Sequence, residues 1–133
     1  MILIDTGAFL ARYIERDQYH ERAKQHWQRL RQDRRPCFTS NFVLDETITL
    51  LARGTTYKFA AERAGSLLQS RSLVMLRPDE NDESAALKLF EKFADQSVSF
   101  TDCVSFVLMK NRGINFAFSF DRHFTMAGFD VEP

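Results

Sequence analysis

Long apolar runs are missing from this chain. No stretch approaches the roughly 20 residues that span a bilayer, and the longest candidate, Cys103 to Met109, is short and contains Ser105. No membrane-spanning role is expected. The N-terminus opens on a short apolar run and an Asp, without a basic leader or a small-residue cleavage site, so no export signal is expected. Cysteine is scarce: Cys37 and Cys103 stand far apart in apolar settings, with no C-x-x-C. Two buried free thiols in a reducing cytoplasm fit this better than a disulfide framework or a thiolate metal site. Only five glycines and three prolines occur in 133 residues, which leaves no linker and no low-complexity tract. No glycine-rich phosphate-binding motif is present, so nucleoside-triphosphate chemistry is not expected. An excess of charge is missing too: 18 basic and 18 acidic residues cancel, so neither a basic nucleic-acid arm nor an acidic tail is present.

What is present is an ordinary globular composition. Apolar residues make up 44% and charged residues 27%, and 13 phenylalanines against one tryptophan predict a Phe-rich core. The length suits one domain spanning residues 1–133. Short apolar runs at Ile2–Ile4, Cys37–Thr39, Leu73–Leu76 and Asn115–Phe120, with a last one near Phe129–Val131, read as strands. Between them, apolar residues recur at helical spacing, as with Tyr19, Ala23, Trp27 and Leu30. Further helices are predicted from Ala8 to Ile14, from Ser40 or Asn41 to Gly54, and from Thr55 or Thr56 to about Gln69. Others open at Asn81 or Asp82 and at Thr101, and a short turn starts at Arg122. Strands alternating with helices predict an α/β fold, a short parallel sheet with helices on both faces.

In such sheets ligands bind beyond the carboxyl ends of the strands. Acidic residues fall at those places: Asp5 after the first strand, Asp45 and Glu46 after the second, Asp102 at the start of the last long helix, and Asp121 after the fourth strand. Each has a plain alternative. Asp5 and Asp121 could cap helices, and Asp102 could answer a helix dipole. Glu46 is harder to explain so, because on its helix it lies between Phe42 and Leu50, and a carboxylate among apolar groups is costly unless paired or bound to a cation. Asp45 lies further round the helix and reads as its solvated neighbour. Clustered carboxylates repel and raise one another's pKa. A hard divalent cation relieves this, and acids without histidine or cysteine ligands point to Mg²⁺ or Mn²⁺ rather than Zn²⁺. Such a site suits phosphodiester hydrolysis. Thr6, Thr101 and Ser119 lie beside the acids and could orient carboxylates or waters.

These residues carry a resemblance. The stretches ILIDTG (2–7), TSNFVLDETITLL (39–51), TDCVSFVLMK (101–110) and FSFDRHFTMAG (118–128) occur in the order and approximate spacing of the PIN-domain nucleases. The chain is particularly similar to the VapC-type ribonuclease toxins of prokaryotic toxin–antitoxin pairs. The resemblance implies a three-layer α/β sandwich. It implies an acidic quartet of Asp5, Glu46, Asp102 and Asp121, with Asp5 and Asp102 as direct ligands of Mg²⁺ or Mn²⁺ and the other two acting through water or a second ion. It makes Thr6 and Ser119 accessory hydroxyls. Gly7 stands where many members carry Ser or Asn. It further implies RNA cleavage to a 5′-phosphate and a 3′-hydroxyl, a homodimer, and a small antitoxin partner.

Other signals are weaker. Asp5-Thr6-Gly7 also spells the aspartic-protease signature, but this helix-rich chain lacks the β architecture that goes with it. His20-Glu21 begins a zincin motif that Lys24 does not complete. His123 could assist catalysis or merely pack. Residues 12–35 hold eight basic and four acidic groups with Tyr13, Tyr19 and Trp27 among them. Arg29, Arg31, Arg34 and Arg35 are candidates for RNA phosphate contacts. The helix with Tyr57 and Phe59 could be core or a partner surface. Charge is uneven: residues 1–66 carry 11 basic and 8 acidic groups, and residues 67–133 carry 7 and 10. The leading expectation is a divalent-metal endoribonuclease. The alternatives are a non-cleaving RNA-binding or complex-forming protein on the same fold, and a DNA-directed nuclease.

Overall fold

A computed structural model describes all 133 residues. Five strands form one parallel sheet: β1 (Ile2–Ile4), β2 (Cys37–Ser40), β3 (Leu73–Leu76), β4 (Phe116–Phe118) and β5 (Asp130–Glu132), in the order β3-β2-β1-β4-β5. The chain first builds outward from β1 through β2 to β3, then crosses back to place β4 on the other side of β1. β1 therefore marks the switch point, where loops diverge and a cleft opens beyond the strand ends.

Seven α-helices join the strands: α1 (Thr6–Tyr13), α2 (His20–Gln32), α3 (Asn41–Gly54), α4 (Tyr57–Gln69), α5 (Glu80–Lys92), α6 (Phe100–Arg112) and α7 (His123–Met126). A 3-10 turn over Ala94–Gln96, absent from the periodicity, links α5 to α6. Alternation along β1 sorts the two faces. Ile2 and Ile4 join Phe9, Val43, Leu44 and Phe118 under α1–α4, whereas Leu3 joins Cys103, Phe106, Met109 and Phe124 under α5–α7. This is the expected three-layer α/β architecture.

The Phe-rich core is only partly as expected. Phe9, Phe106, Phe118 and Phe124 are buried, but most of the others are half-exposed and Phe90 is open to solvent. Cys103 is buried and Cys37 half-buried, and both are free thiols. Tyr57 is exposed, while its neighbour Phe59 packs edge-on against Tyr13. No helix is long and apolar enough to cross a membrane.

Candidate metal centre

All four acids line one open cleft of about 710 Å³ at the carboxyl ends of the strands, together with Thr6, Gly7, Ser99 and His123. Each arrives by a different element. Asp5 ends β1, and its amide donates to the Phe118 carbonyl at 3.1 Å, which ties it to β4. It stands at the N-cap position of α1 but makes no side-chain cap. Instead Ser119 donates its hydroxyl to Asp5 Oδ2 at 2.8 Å. The same Ser119 oxygen accepts the Asp121 amide at 3.0 Å, so one hydroxyl links two acids. Asp102 sits in the first turn of α6, where Ser99 caps the helix by accepting the Asp102 amide at 3.0 Å. Glu46 lies in the second turn of α3, half-buried, while Asp45 beside it is exposed.

Burial makes these charges costly. Asp5 is 5% exposed and Asp102 6%. Burial first, and then the charge of Asp102, push Asp5 up to about 7. Burial first, and then Asp121, push Asp102 up to about 6, against the lowering contact from His123. Glu46 raises both, which places it within electrostatic reach. A nearby cation would reverse these shifts. Among the residues that line the cleft, Thr6 has a buried hydroxyl without a hydrogen-bond partner. Oxygen donors with raised pKa values and an unsatisfied hydroxyl fit a hard divalent ion.

The sequence leaves the role of His123 open, and the premise of a cluster free of histidine does not hold. Its Nδ1 lies 3.3 Å from Asp102 Oδ2 and 3.1 Å from Asp121 Oδ1. Potential ligand atoms of Asp102, Asp121 and His123 all lie within 4.8 Å of one another. Nδ1 is within hydrogen-bond distance of Asp102 and within ion-pair distance of Asp121; with its proton on Nδ1 the ring donates to Asp102 and leaves the carboxylate oxygens as the donor set. The signal for His123 was its position two residues beyond Asp121, where Asp121 Oδ1 accepts the His123 amide at 2.9 Å and turns the ring inward. Ser99 was also missed, because Thr101 looked the better helix start.

The arginines predicted to hold RNA lie elsewhere. Arg31, Arg34 and Arg35 line a second groove of about 620 Å³ with Arg12, Arg63 and Arg71. It opens beside Cys37 and Leu73, at the strand starts, away from the acids. Arg35 is already engaged, donating to Glu132 at 2.7 Å. Arg29 is exposed and lines neither cavity.

A family model for the PIN domain matches residues 2–130. The chain belongs to the PIN domain family. It is 33% identical to the 23S rRNA-specific endonuclease VapC20 of Mycobacterium tuberculosis, over 100% of this chain and 99% of that protein. A VapC ribonuclease of Archaeoglobus fulgidus is 28% identical over 93% of this chain and 79% of its own length. The crystal structure of the mycobacterial VapC20, described as a sarcin-ricin loop cleaving toxin, superposes with a TM-score of 0.90 at 32% identity, each chain covered in full. FitAcB from Neisseria gonorrhoeae shares the fold at a TM-score of 0.69 and 18% identity, over 100% of this chain and 97% of its own.

Proposed function

We propose that this PIN domain chain is a VapC-type endoribonuclease that hydrolyses RNA phosphodiester bonds with Mg²⁺ or Mn²⁺, and that it is the toxin of a toxin–antitoxin pair. The observation that carries the reading is the convergence of Asp5, Glu46, Asp102 and Asp121, from four separate segments, on one cleft at the switch point of the sheet. Four acids needed only by their own segments have no reason to meet.

Asp5 and Asp102 would hold the ion directly, with Glu46 and Asp121 completing the site. When bound, a divalent ion supplies Lewis-acid stabilisation of phosphoryl charge and lowers the pKa of a water. The chain's own residues do the positioning. Ser119 keeps the Asp5 carboxylate turned into the cleft and fixes the Asp121 backbone. His123 holds Asp102 and Asp121 together and partly offsets their repulsion. Thr6, a residue of the cleft lining with a buried and unpartnered hydroxyl, would serve as an accessory donor beside Asp5. The homology to VapC20 makes 23S rRNA the first substrate to test. A homodimer, a small antitoxin and a cytoplasmic setting belong to the same reading.

The test is cleavage of 23S rRNA and of a matched DNA strand with Mg²⁺, with Mn²⁺ and with chelator. The wild type should cut RNA only with metal. Asp5→Asn and Asp102→Asn should lose at least a hundredfold in rate while keeping the wild-type circular dichroism. Full activity in both variants would refute the assignment, and RNA binding without cleavage under any metal would support the non-catalytic alternative.

A further inference from the structure

Tyr19 and Phe120 lie face to face on the wall of the acidic cleft, with ring centroids 4.3 Å apart and planes 2° from parallel. They come from distant segments. Tyr19 immediately precedes α2, and Phe120 follows β4, one residue before Asp121. Phe120 is braced from within by Phe118, edge-on at 6.1 Å. Both rings of the pair are half-buried. A pair that only filled the core would be covered; this one faces the same cleft as the carboxylates.

The Arg22 guanidinium is 5.8 Å from the Tyr19 ring centre and 5.6 Å from that of Phe120. A group stacked on the outer face of one ring at about 4 Å would stand about 8 Å from the centre of the other. Near-equal distances therefore place Arg22 beside the pair, leaving the stacking direction uncovered by it. Arg22 is exposed and makes a single hydrogen bond to protein, donating to the Pro133 carbonyl at 3.2 Å. Most of its five donors remain free.

We propose that Tyr19, Phe120 and Arg22 form a nucleobase subsite, in which an unpaired base beside the scissile phosphate stacks on the aromatic pair and Arg22 contacts the adjoining backbone phosphate. This rests on the nuclease reading above and adds how the substrate is held. A flat, sequence-tolerant ring face with a guanidinium beside it is the chemistry that takes single-stranded or looped RNA. A base inside a duplex is already stacked on both faces and cannot use it. Tyr19, Phe120 and Asp121 line the same cleft, so a base stacked on the outer face of the pair belongs to a nucleotide close to the phosphate that the acids would serve.

The test uses a synthetic hairpin carrying the sarcin-ricin loop of 23S rRNA, with an abasic residue placed in turn at each position flanking the cut. For the wild type, KM should rise about tenfold at one of these positions, in the range that removing one stacked base produces. In Tyr19→Leu and Phe120→Leu, which keep apolar volume but lose the π face, that penalty should vanish, and KM on the intact hairpin should equal the wild-type value on the abasic one. Tyr19→Phe should restore the penalty. Arg22→Gln should raise KM on both substrates alike. The Leu variants lose a ring contact and should melt somewhat lower, but circular dichroism should show every variant folded and Mn²⁺ affinity should stay at the wild-type value throughout. A wild type indifferent to every abasic position, or a penalty that persists in both Leu variants, overturns the subsite. Failure of the wild type to cut any RNA with Mg²⁺ or Mn²⁺ overturns the nuclease reading and the subsite with it.

Discussion

The Asp5 carboxylate is held where it is against stability. Burial and Asp102 raise it from an ordinary 3.8 to about 7, so the folded chain keeps a proton that the unfolded chain releases. For an acid shifted upward, the stability contribution is whole below the unfolded pKa and is lost as pH rises through the folded one. Asp102, raised to about 6, acts in the same direction. In chelator, Asp5→Asn should therefore be more stable than the wild type at pH 8, by an amount on the order of a few kcal/mol. The gap should narrow as pH falls from about 7 toward 4. Added Mn²⁺ should raise the wild-type melting temperature and leave that of the variant almost unchanged. Thermal melts of both proteins across pH, with and without metal, check this. A gap that is the same at pH 5 and pH 8 would show that Asp5 is not under this strain.

Elements bring the acids to the cleft through their starting residues. Ser40 accepts the Val43 amide and opens α3, whose second turn carries Glu46. Ser99 opens α6 three residues before Asp102. Ser99→Ala should cost ~1 kcal/mol of stability through removal of the N-cap. It should also weaken Mn²⁺ binding, because the frayed turn is the one that holds Asp102. The check is a denaturant titration paired with a calorimetric metal titration, and an unchanged metal affinity would separate the cap from the site. Caps also explain where the pattern misplaced boundaries. The helix expected from Asn81 or Asp82 starts at Glu80, because Asp79 and Asp82 cap reciprocally, each side chain accepting the other's amide. The helix expected from Thr101 starts at Phe100, because Ser99 reaches the amide first. Both errors have one cause. Several polar residues in a row offer a cap, and only the folded backbone shows which one meets the third amide. By contrast, Ile2–Ile4, Leu73–Leu76 and the stop at Gly54 were legible, since the apolar runs there are bounded by unambiguous breaks.

Across the molecule, a net charge of zero conceals two separated fields. The acids gather at the carboxyl end of the sheet, and Arg12, Arg31, Arg34, Arg35, Arg63 and Arg71 gather at its amino end without a carboxylate among the groove's lining residues. If that groove takes RNA phosphates beyond the reacting centre, Arg31→Gln with Arg71→Gln should flatten the salt dependence of RNA binding. The slope of log K against log salt should fall by about 0.7 for each phosphate that no longer meets an arginine. Binding of the Asp5→Asn protein to 23S rRNA fragments at several salt concentrations measures it. An unchanged slope would assign the groove to something other than RNA.

Local pattern in the chain was enough for the α/β class, the strand and helix order, and the four acids, because period-two and period-3.6 apolar repeats and residues at strand ends are features of neighbouring positions. The family likeness implied the common purpose proposed for them. Ser119 was legible beside the acids, but which groups the site's polar side chains meet came only with folding. Folding turned His123 between Asp102 and Asp121, joined Ser119 to Asp5 across 114 positions of chain, and stacked Tyr19 on Phe120. It also placed Arg31, Arg34 and Arg35, the candidates for RNA phosphate contacts, at the far end of the sheet from the acids. Those pairings depend on the order β3-β2-β1-β4-β5, which sets segments remote in sequence side by side, and no local pattern of residues encodes that order.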